Sequence, residues 1–481
     1  MANITKNYEV DVAVIGGGTA GLGAYRSAKN ITDKVVMIEG GPYGTTCARV
    51  GCMPSKLLIS AAESVHHIQQ APHFGVTSSE IKVDGAKVLE RVRKERDRFV
   101  GFVLESVEQI PQADRIRGYA RFKGNQTLLV DDHSEIHAKS IVIATGSSPM
   151  VLPMFQGLGH RLVVNDDVFE WKTLPQSVAV FGPGVIGLEL GQALHRLGVR
   201  VVVLGRGGAV GPLSDPQIRE YSARVLGKEL YLDPDAHVSD LRLDGEQVMI
   251  TYRGIDEQTH TEAFEYVLAA TGRVANIKNI GLENTDLQLD ERGVPLFDPY
   301  TTQCGESSIF IAGDANNDRP LLHEAADEGR IAGSNAAKFP DIRVGDRRSP
   351  LGIVFTDPQI AMVGRSCRSL PEGCYATGKV SFEDQGRSRV MLQNRGLLHV
   401  YAEYGTGLFL GAEMIGPRAE HWAHLLAWSH QQKMTISQML AMPFYHPVIE
   451  EGVRTALRDV NSKLKLGPPV VNRCIDCGPG A

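Results

Sequence analysis

The stretch Cys47-Ala-Arg-Val-Gly-Cys52 sets two thiols with four residues between them. A packed core has no need of two thiols at that spacing. Redox chemistry does, because a dithiol closes to a disulfide as it loses two electrons and reopens as it regains them. On a regular α-helix, residues five positions apart point about 140° away from each other, and their Cα atoms lie beyond the reach of a disulfide. A bond between Cys47 and Cys52 therefore requires a distorted segment, and Gly51 supplies the backbone freedom for one. Pro54 suits the first turn of a following helix. That would set Cys52 near a helix N-terminus, where partial positive charge favours its thiolate. The plainer alternative is a pair of packed or metal-binding cysteines.

The elements that must position these thiols are two dinucleotide-binding units. The strand Val10–Ile15 feeds Gly16-Gly-Gly18-Thr-Ala-Gly21, a helical stretch to about Asn30, and a second strand from Val35 that ends on Glu39. Gly16 makes the tight turn, Gly18 lets backbone N–H groups reach a pyrophosphate, and Gly21 lets helix pack on strand. Glu39 follows Gly16 by 23 positions, where a carboxylate takes both ribose hydroxyls. The pattern recurs as Val178–Phe181, Gly182-Pro-Gly184-Val-Ile-Gly187, a helix to about Leu197 and a strand from Val199 to Leu204. One chain then binds two dinucleotides. In the second copy Gly205 stands where the acid belongs, followed by Arg206. A carboxylate there would favour NAD; Arg206 is either a 2′-phosphate contact or a solvated turn residue. Three further segments outline a flavin site: Ile141 to Thr145-Gly146, Leu268 to Thr271-Gly272-Arg273, and Ile309 to Gly313-Asp314. Each reads as a buried strand ending in a turn, and Asp314 is suited to a ribityl hydroxyl.

Bulk properties fit this reading. At 481 residues the chain exceeds one compact core, so about two to four domains are expected. Fifty-one glycines suit an α/β architecture, and a net charge of −6 argues for neither nucleic acid nor a membrane surface. The charges from Arg91 to Arg98 read as a solvated helix face, because Val92, Phe99 and Val103 recur at helical spacing. Met1–Asn7 lacks a signal or transit pattern and no apolar run reaches membrane-spanning length. Seven cysteines, an odd number, argue against a secreted disulfide framework. A cytoplasmic location is expected, where a disulfide is more often catalytic than structural.

With the two fingerprints, CxxxxC followed by Met-Pro-Ser-Lys56, the Gly313-Asp314 turn, and His446-Pro-Val-Ile-Glu-Glu451, residues 8 to 465 resemble the flavin-dependent pyridine nucleotide–disulfide oxidoreductases. Within that family the chain is most similar to the dihydrolipoamide dehydrogenases. The resemblance implies an α/β fold with two Rossmann-like domains and a C-terminal α+β dimerisation domain. The expected divisions are an FAD domain (1–150), an NAD(P) domain (151–272), a central domain completing the FAD site (273–348), an interface domain (349–465) and a flexible tail (466–481). It implies a homodimer in which each active site borrows a histidine from the partner. It also implies that Cys52 is the thiolate beside the isoalloxazine and that Cys47 is the interchange thiol. A lysine–glutamate pair near flavin N5 falls on Lys56 and Glu189. Oxidising a dithiol releases protons, so a base is required. His446 is the candidate, set before a Pro447 expected to begin a helix, and the family spacing selects Glu451 over Glu450 to orient it. FAD would be held by Gly16, Gly18, Gly21, Glu39, Lys56, Thr145, Gly146, Gly313 and Asp314. NAD, or NADP, would be held by Gly182, Gly184, Gly187, Arg206 and Gly272. No metal site is expected.

The implied activity is oxidation of a small lipoamide-class dithiol through Cys47–Cys52 and FAD, with hydride transfer to NAD+. Val185 and Ser55 stand where glutathione reductases usually carry tyrosine and lysine, which favours this direction. Gly205 and Arg206 favour the runner-up, an NADPH-driven disulfide reductase. A mercuric reductase fits less well because the C-terminal cysteines are not adjacent, and a soluble transhydrogenase because both redox cysteines remain. From another class, a non-catalytic FAD-binding scaffold would be inert to dithiols. The chain departs from the family at Arg49, commonly asparagine, at Thr45-Thr46 for Gly-Thr, at Gly205, and at Val448 for threonine. Arg49 adds a cation that could lower a thiolate pKa or favour an anionic substrate. The tail carries Cys474-x-x-Cys477, read as a shuttle dithiol, half a metal site, or incidental cysteines. Cys304, Cys367 and Cys374 read as packing or surface residues.

Overall fold

The computed structural model describes residues 6–77 and 79–464, so the Cys474–Cys477 tail lies outside the described residues. Chain contacts group into two compact units. The first takes the chain up to Gly182, Glu189–Leu204 and Ala236–Arg348, and the second takes Pro183–Leu188, Gly205–Asp235 and the chain from Ser349 on.

The first unit is built on a seven-stranded sheet. Its first strand, β1 (Lys6–Ile15), leads into helix α1 (Thr19–Lys29) and strand β2 (Val35–Glu39). β1 lies parallel to β2 and to the strand Ser134–Ile143, which also pairs in parallel with Ile309–Ile311. Alternate residues of these strands enter separate cores: Ala13, Ile15, Ile38 and Ile141 on one face, Val12, Val14, Met37 and Val142 on the other. Burial on both faces explains the unbroken apolar runs in the sequence. Each buried valine, isoleucine or methionine is worth about 1.5–3 kcal/mol over exposure, against about 0–1 for a surface ion pair, so burial decides the sheet. The strand Ser177–Phe181, buried throughout, lies in parallel between Arg200–Leu204 and Tyr266–Ala269. An antiparallel meander of His237–Asp244, Gln247–Arg253 and Thr259–Phe264 follows.

The second unit carries a five-stranded sheet, ordered Leu351–Val354, Gln359–Gly364, Phe409–Gly416, Leu397–Glu403 and Tyr375–Ser381, antiparallel throughout. Helix Glu451–Lys463 buries Val453, Ala456, Leu457 and Val460, the i, i+3, i+4, i+7 stripe of a helix with one core face. Trp422 packs on Phe382 with ring centroids 5.1 Å apart. No helix among the described residues is long and apolar enough to cross a membrane.

Candidate active site

Just past β2 the chain forms a short helix, α2 (Thr46–Val50), and then a long one, α3 (Cys52–Gln70). Between them Gly51 turns the backbone to φ −120°, ψ −115°. A Cβ at position 51 would sit 3.1 Å from the Thr46 carbonyl oxygen and 3.2 Å from Cys47 Cα, so the break is tight enough to disfavour any side chain. It leaves Cys47 in the first turn of α2 and Cys52 at the start of α3. Asn165, itself buried, donates from Nδ2 to the Val50 carbonyl at 2.9 Å, satisfying an acceptor at the end of α2. Thr45 caps α2, its Oγ1 accepting from Ala48 N–H at 3.3 Å. Its backbone stands at φ 58°, ψ 149°, near the region that essentially only glycine occupies, so strain is stored beside the thiols.

Each thiol is the largest influence on the other's titration: their mutual hydrogen bonding raises Cys47 and lowers Cys52 to about 7. Burial opposes the thiolate at both sulfurs, and the Lys56 ammonium assists it. The cation at the Cys52 thiolate is thus Lys56, one turn along α3. Arg49, singled out in the sequence, instead acts with Arg273 on Asp166, whose carboxyl burial pushes up. Lys56 Nζ meets Glu189 Oε2 at 2.7 Å, and Glu189 is buried.

The groups proposed for the first dinucleotide form a cradle. Gly16 holds φ +109°, and a Cβ there would lie 2.3 Å from the Ala144 carbonyl oxygen, whereas Gly18 faces open space. The Glu39 carboxylate is aimed by two backbone donors, Gly17 N–H to Oε2 and Gly41 N–H to Oε1, each 2.6 Å. Thr145 Oγ1 and Tyr43 OH are buried with no hydrogen-bond partner among the described residues, as polar atoms kept for a ligand are. Asp314 Oδ2 accepts from Ser147 Oγ at 2.6 Å, and Arg273 Nε donates to the same hydroxyl at 2.7 Å. These residues fit FAD. Asn165, Ser147 and Arg273 were missed by sequence reasoning. Arg273 follows a quoted Thr-Gly turn and so left a signal; Asn165 left none.

In the second fingerprint Gly182 holds φ +105°, 2.4 Å from the Ala270 carbonyl by the same construction, and Gly184 again faces open space. Gly187 is buried in the helix Val185–Arg196, and the Gly272 carbonyl accepts from Met150 N–H at 2.9 Å. At Gly205 a Cβ would come 2.5 Å from the Pro234 carbonyl oxygen and 2.7 Å from Pro183 Cγ. No acid can stand there. Arg206 is exposed.

His446 and Glu451 belong to the second unit. Glu451 accepts from His446 Nδ1 at 3.0 Å and from Val448 N–H at 3.2 Å. The imidazole lowers the Glu451 carboxyl first, the Val448 N–H second. With Nδ1 engaged, Nε2 is left to face a reactant on a side chain that is 80 % exposed. The helix begins at Glu451, not at Pro447 as expected. The Glu451 carboxylate folds back on Val448 and His446, holding the preceding residues as a loop.

Residues 10–329 match the family model for pyridine nucleotide-disulphide oxidoreductase, and residues 351–457 match that family's dimerisation domain. A dihydrolipoyl dehydrogenase of Bacillus subtilis is 28 % identical over 474 residues, covering 96 % of this chain and 97 % of the relative. One of Geobacillus stearothermophilus is 29 % identical over 472 residues, with 96 % and 97 % covered. Among solved structures, LpdA from Mycobacterium tuberculosis superposes with a TM-score of 0.79 at 24 % identity, covering 95 % of this chain and 99 % of that one. The Cu(II) complex of HOCl-induced flavoprotein disulfide reductase RclA from Escherichia coli gives 0.78 at 23 %, covering 95 % and 100 %. At these identities the structural likeness is one of fold.

Proposed function

The chain belongs to the pyridine nucleotide–disulphide oxidoreductases, flavoproteins that use FAD and NAD(P), and from that premise we propose that it oxidises a lipoamide-class dithiol at the expense of NAD+. The observation that carries the reading is geometric: the Gly51 break sets Cys47 in the first turn of α2 and Cys52 at the start of α3, with Lys56 one turn on and paired to buried Glu189 at 2.7 Å. FAD, held by the Gly16–Gly18 turn, Glu39, Thr145 and Asp314, supplies when bound the two-electron relay between thiols and nicotinamide. The chain itself handles sulfur and protons. A substrate thiol gives its proton to His446 Nε2 and attacks Cys47 Sγ of the disulfide, and Cys52 leaves as a thiolate. The second substrate thiol then attacks the substrate sulfur bound to Cys47. Cys47 departs carrying that thiol's proton, and the substrate leaves as a disulfide. Two protons are thereby parked, one on the imidazole and one on Cys47, and two electrons stay with the enzyme. We assign His446 and Glu451 to the partner's active site in a homodimer, and read the molecule as cytoplasmic from its cysteine usage. The domain divisions at 150, 272, 348 and 465 belong to the same reading.

The nucleotide site favours a second reading, an NADPH-driven disulfide reductase. Gly205 excludes the acid that would recognise NAD, and Arg206 is exposed beside it. Anaerobic titration of the holoenzyme with NADH and with NADPH tests both. A long-wavelength absorbance band from the Cys52 thiolate is expected with the working nucleotide. No band with either nucleotide would overturn disulfide chemistry and leave the scaffold reading. Turnover of dihydrolipoamide with NAD+ against glutathione disulfide with NADPH then decides direction.

A further inference from the structure

The four residues after His446, Pro447–Glu450, form one wall of a cavity of about 240 Å³ in the second unit. Facing them are Arg387, Arg418 and His421, with Met391 and Trp422 completing the lining. The cationic wall is tied to the base loop. Gln385 caps the short helix Gly386–Val390 that carries Arg387, its Oε1 accepting from Ser388 N–H at 2.7 Å. The Nε2 of the same side chain donates to the Val448 carbonyl at 2.7 Å. Arg418 stands at φ 50° as the N-cap of helix Ala419–Gln431, and Trp422 locks that helix start by donating to the Pro417 carbonyl at 3.0 Å.

The guanidiniums of Arg387 and Arg418 make no hydrogen bond or ion pair among the described contacts. Neighbouring Arg389 is paired with Asp384 at 2.9 Å. Glu450 is the one acid in the lining, facing two arginines and His421. Two guanidiniums that share a cavity repel each other, and a carboxylate between them would reverse that sign through charge-assisted, forked hydrogen bonds. Arginine supplies that planar fork where a lysine would act only as a point charge.

We propose that this cavity is a subsite for a carboxylate on the substrate, so that the protein prefers an acidic dithiol or disulfide over its neutral amide. The proposal rests on the reading of His446 as the base, because the cavity wall is the base's own loop. It also moves the charge preference anticipated at Arg49 to Arg387 and Arg418.

Dihydrolipoate and dihydrolipoamide differ only in carboxylate against amide, and they supply the test. For the holoenzyme, kcat/KM for the acid relative to the amide is expected to exceed one. In Arg387→Gln/Arg418→Gln that ratio is expected to fall about tenfold or more, as both charge-assisted contacts are lost. An unchanged ratio would overturn the subsite. Dissociation of the double variant to monomers by light scattering would also overturn it, since the arginines would then serve the partner's surface. Calorimetric binding of oxidised lipoate and lipoamide to the same proteins separates the two readings. If the wild type turns over neither dithiol, the function reading fails, yet tighter lipoate binding lost in the double variant still supports the subsite. Equal binding of the two would sink it.

Discussion

Hydrogen bonding between the two thiols and the Lys56 ammonium both favour the thiolate at Cys52, the sulfur that the proposed mechanism releases when substrate attacks Cys47. In the reduced holoenzyme the thiolate absorbance is therefore expected to disappear as pH falls through about 7. Lys56 lowers that value, so Lys56→Met should move the midpoint upward. A spectrophotometric titration with an unmoved midpoint would remove Lys56 from this role. At Gly205 the reasoning is steric instead of electrostatic: with Pro234 and Pro183 against the Cα, the position has no room for the acid its place in the pattern calls for. The sequence displayed the missing acid but not the two prolines that exclude it, since those contacts come from chain folding back on itself.

The break at Gly51 and the strain at Thr45 belong to the α2–α3 element. Glycine at 45 would relieve about 1–3 kcal/mol of backbone strain. Against this stand a few tenths for the lost cap and about 0.5–1 kcal/mol of added chain entropy. Thr45→Gly is therefore expected to stabilise the protein by about 1 kcal/mol; a fall in the denaturant midpoint would show that the cap outweighs the strain. A second element, helix Leu322–Lys338, carries Glu328, which accepts from Gly313 N–H at 2.8 Å, Asn316 at 2.7 Å and Arg347 at 2.7 Å. Burial pushes its carboxyl up to about 7 from an ordinary 4.5. A raised carboxyl contributes stability fully below the unfolded value and loses it as pH rises through the folded one. Relative to Glu328→Gln, the wild type should lose stability between about pH 4.5 and 7 and then level off. Parallel denaturation curves across that range would exclude the group. Of these features the helix break was legible, because disulfide reach and helix geometry both demanded it at a glycine. The late helix start at Glu451 was not, because a proline marks a permitted first turn, whereas the Glu451 carboxylate holds Val448 and His446 outside it.

At the scale of the molecule, the thiols and the base lie in different units of the chain. The match to a dimerisation domain supports a homodimer, and mixed dimers test whether the second chain supplies the base. His446→Gln is expected to keep FAD bound and lower dithiol turnover about a hundredfold or more. Co-refolding it with Cys47→Ser should restore activity that neither parent has, because one site of the mixed dimer then carries both intact groups. A mixture no more active than its parents would assign His446 to its own chain's thiols. The sequence by itself determined the architecture and the reaction class. The apolar strand runs, turn glycines and the thiol spacing are set by near neighbours, and each is read within a few positions. The family resemblance named one distant pair, Lys56 with Glu189 across 133 positions, and the fold closes it. Only the tertiary structure supplied the partners no motif marks, such as Asn165 reaching Val50 across 115. Composition names the types that attract, but the folded path is what brings Lys56 to the thiolate at Cys52.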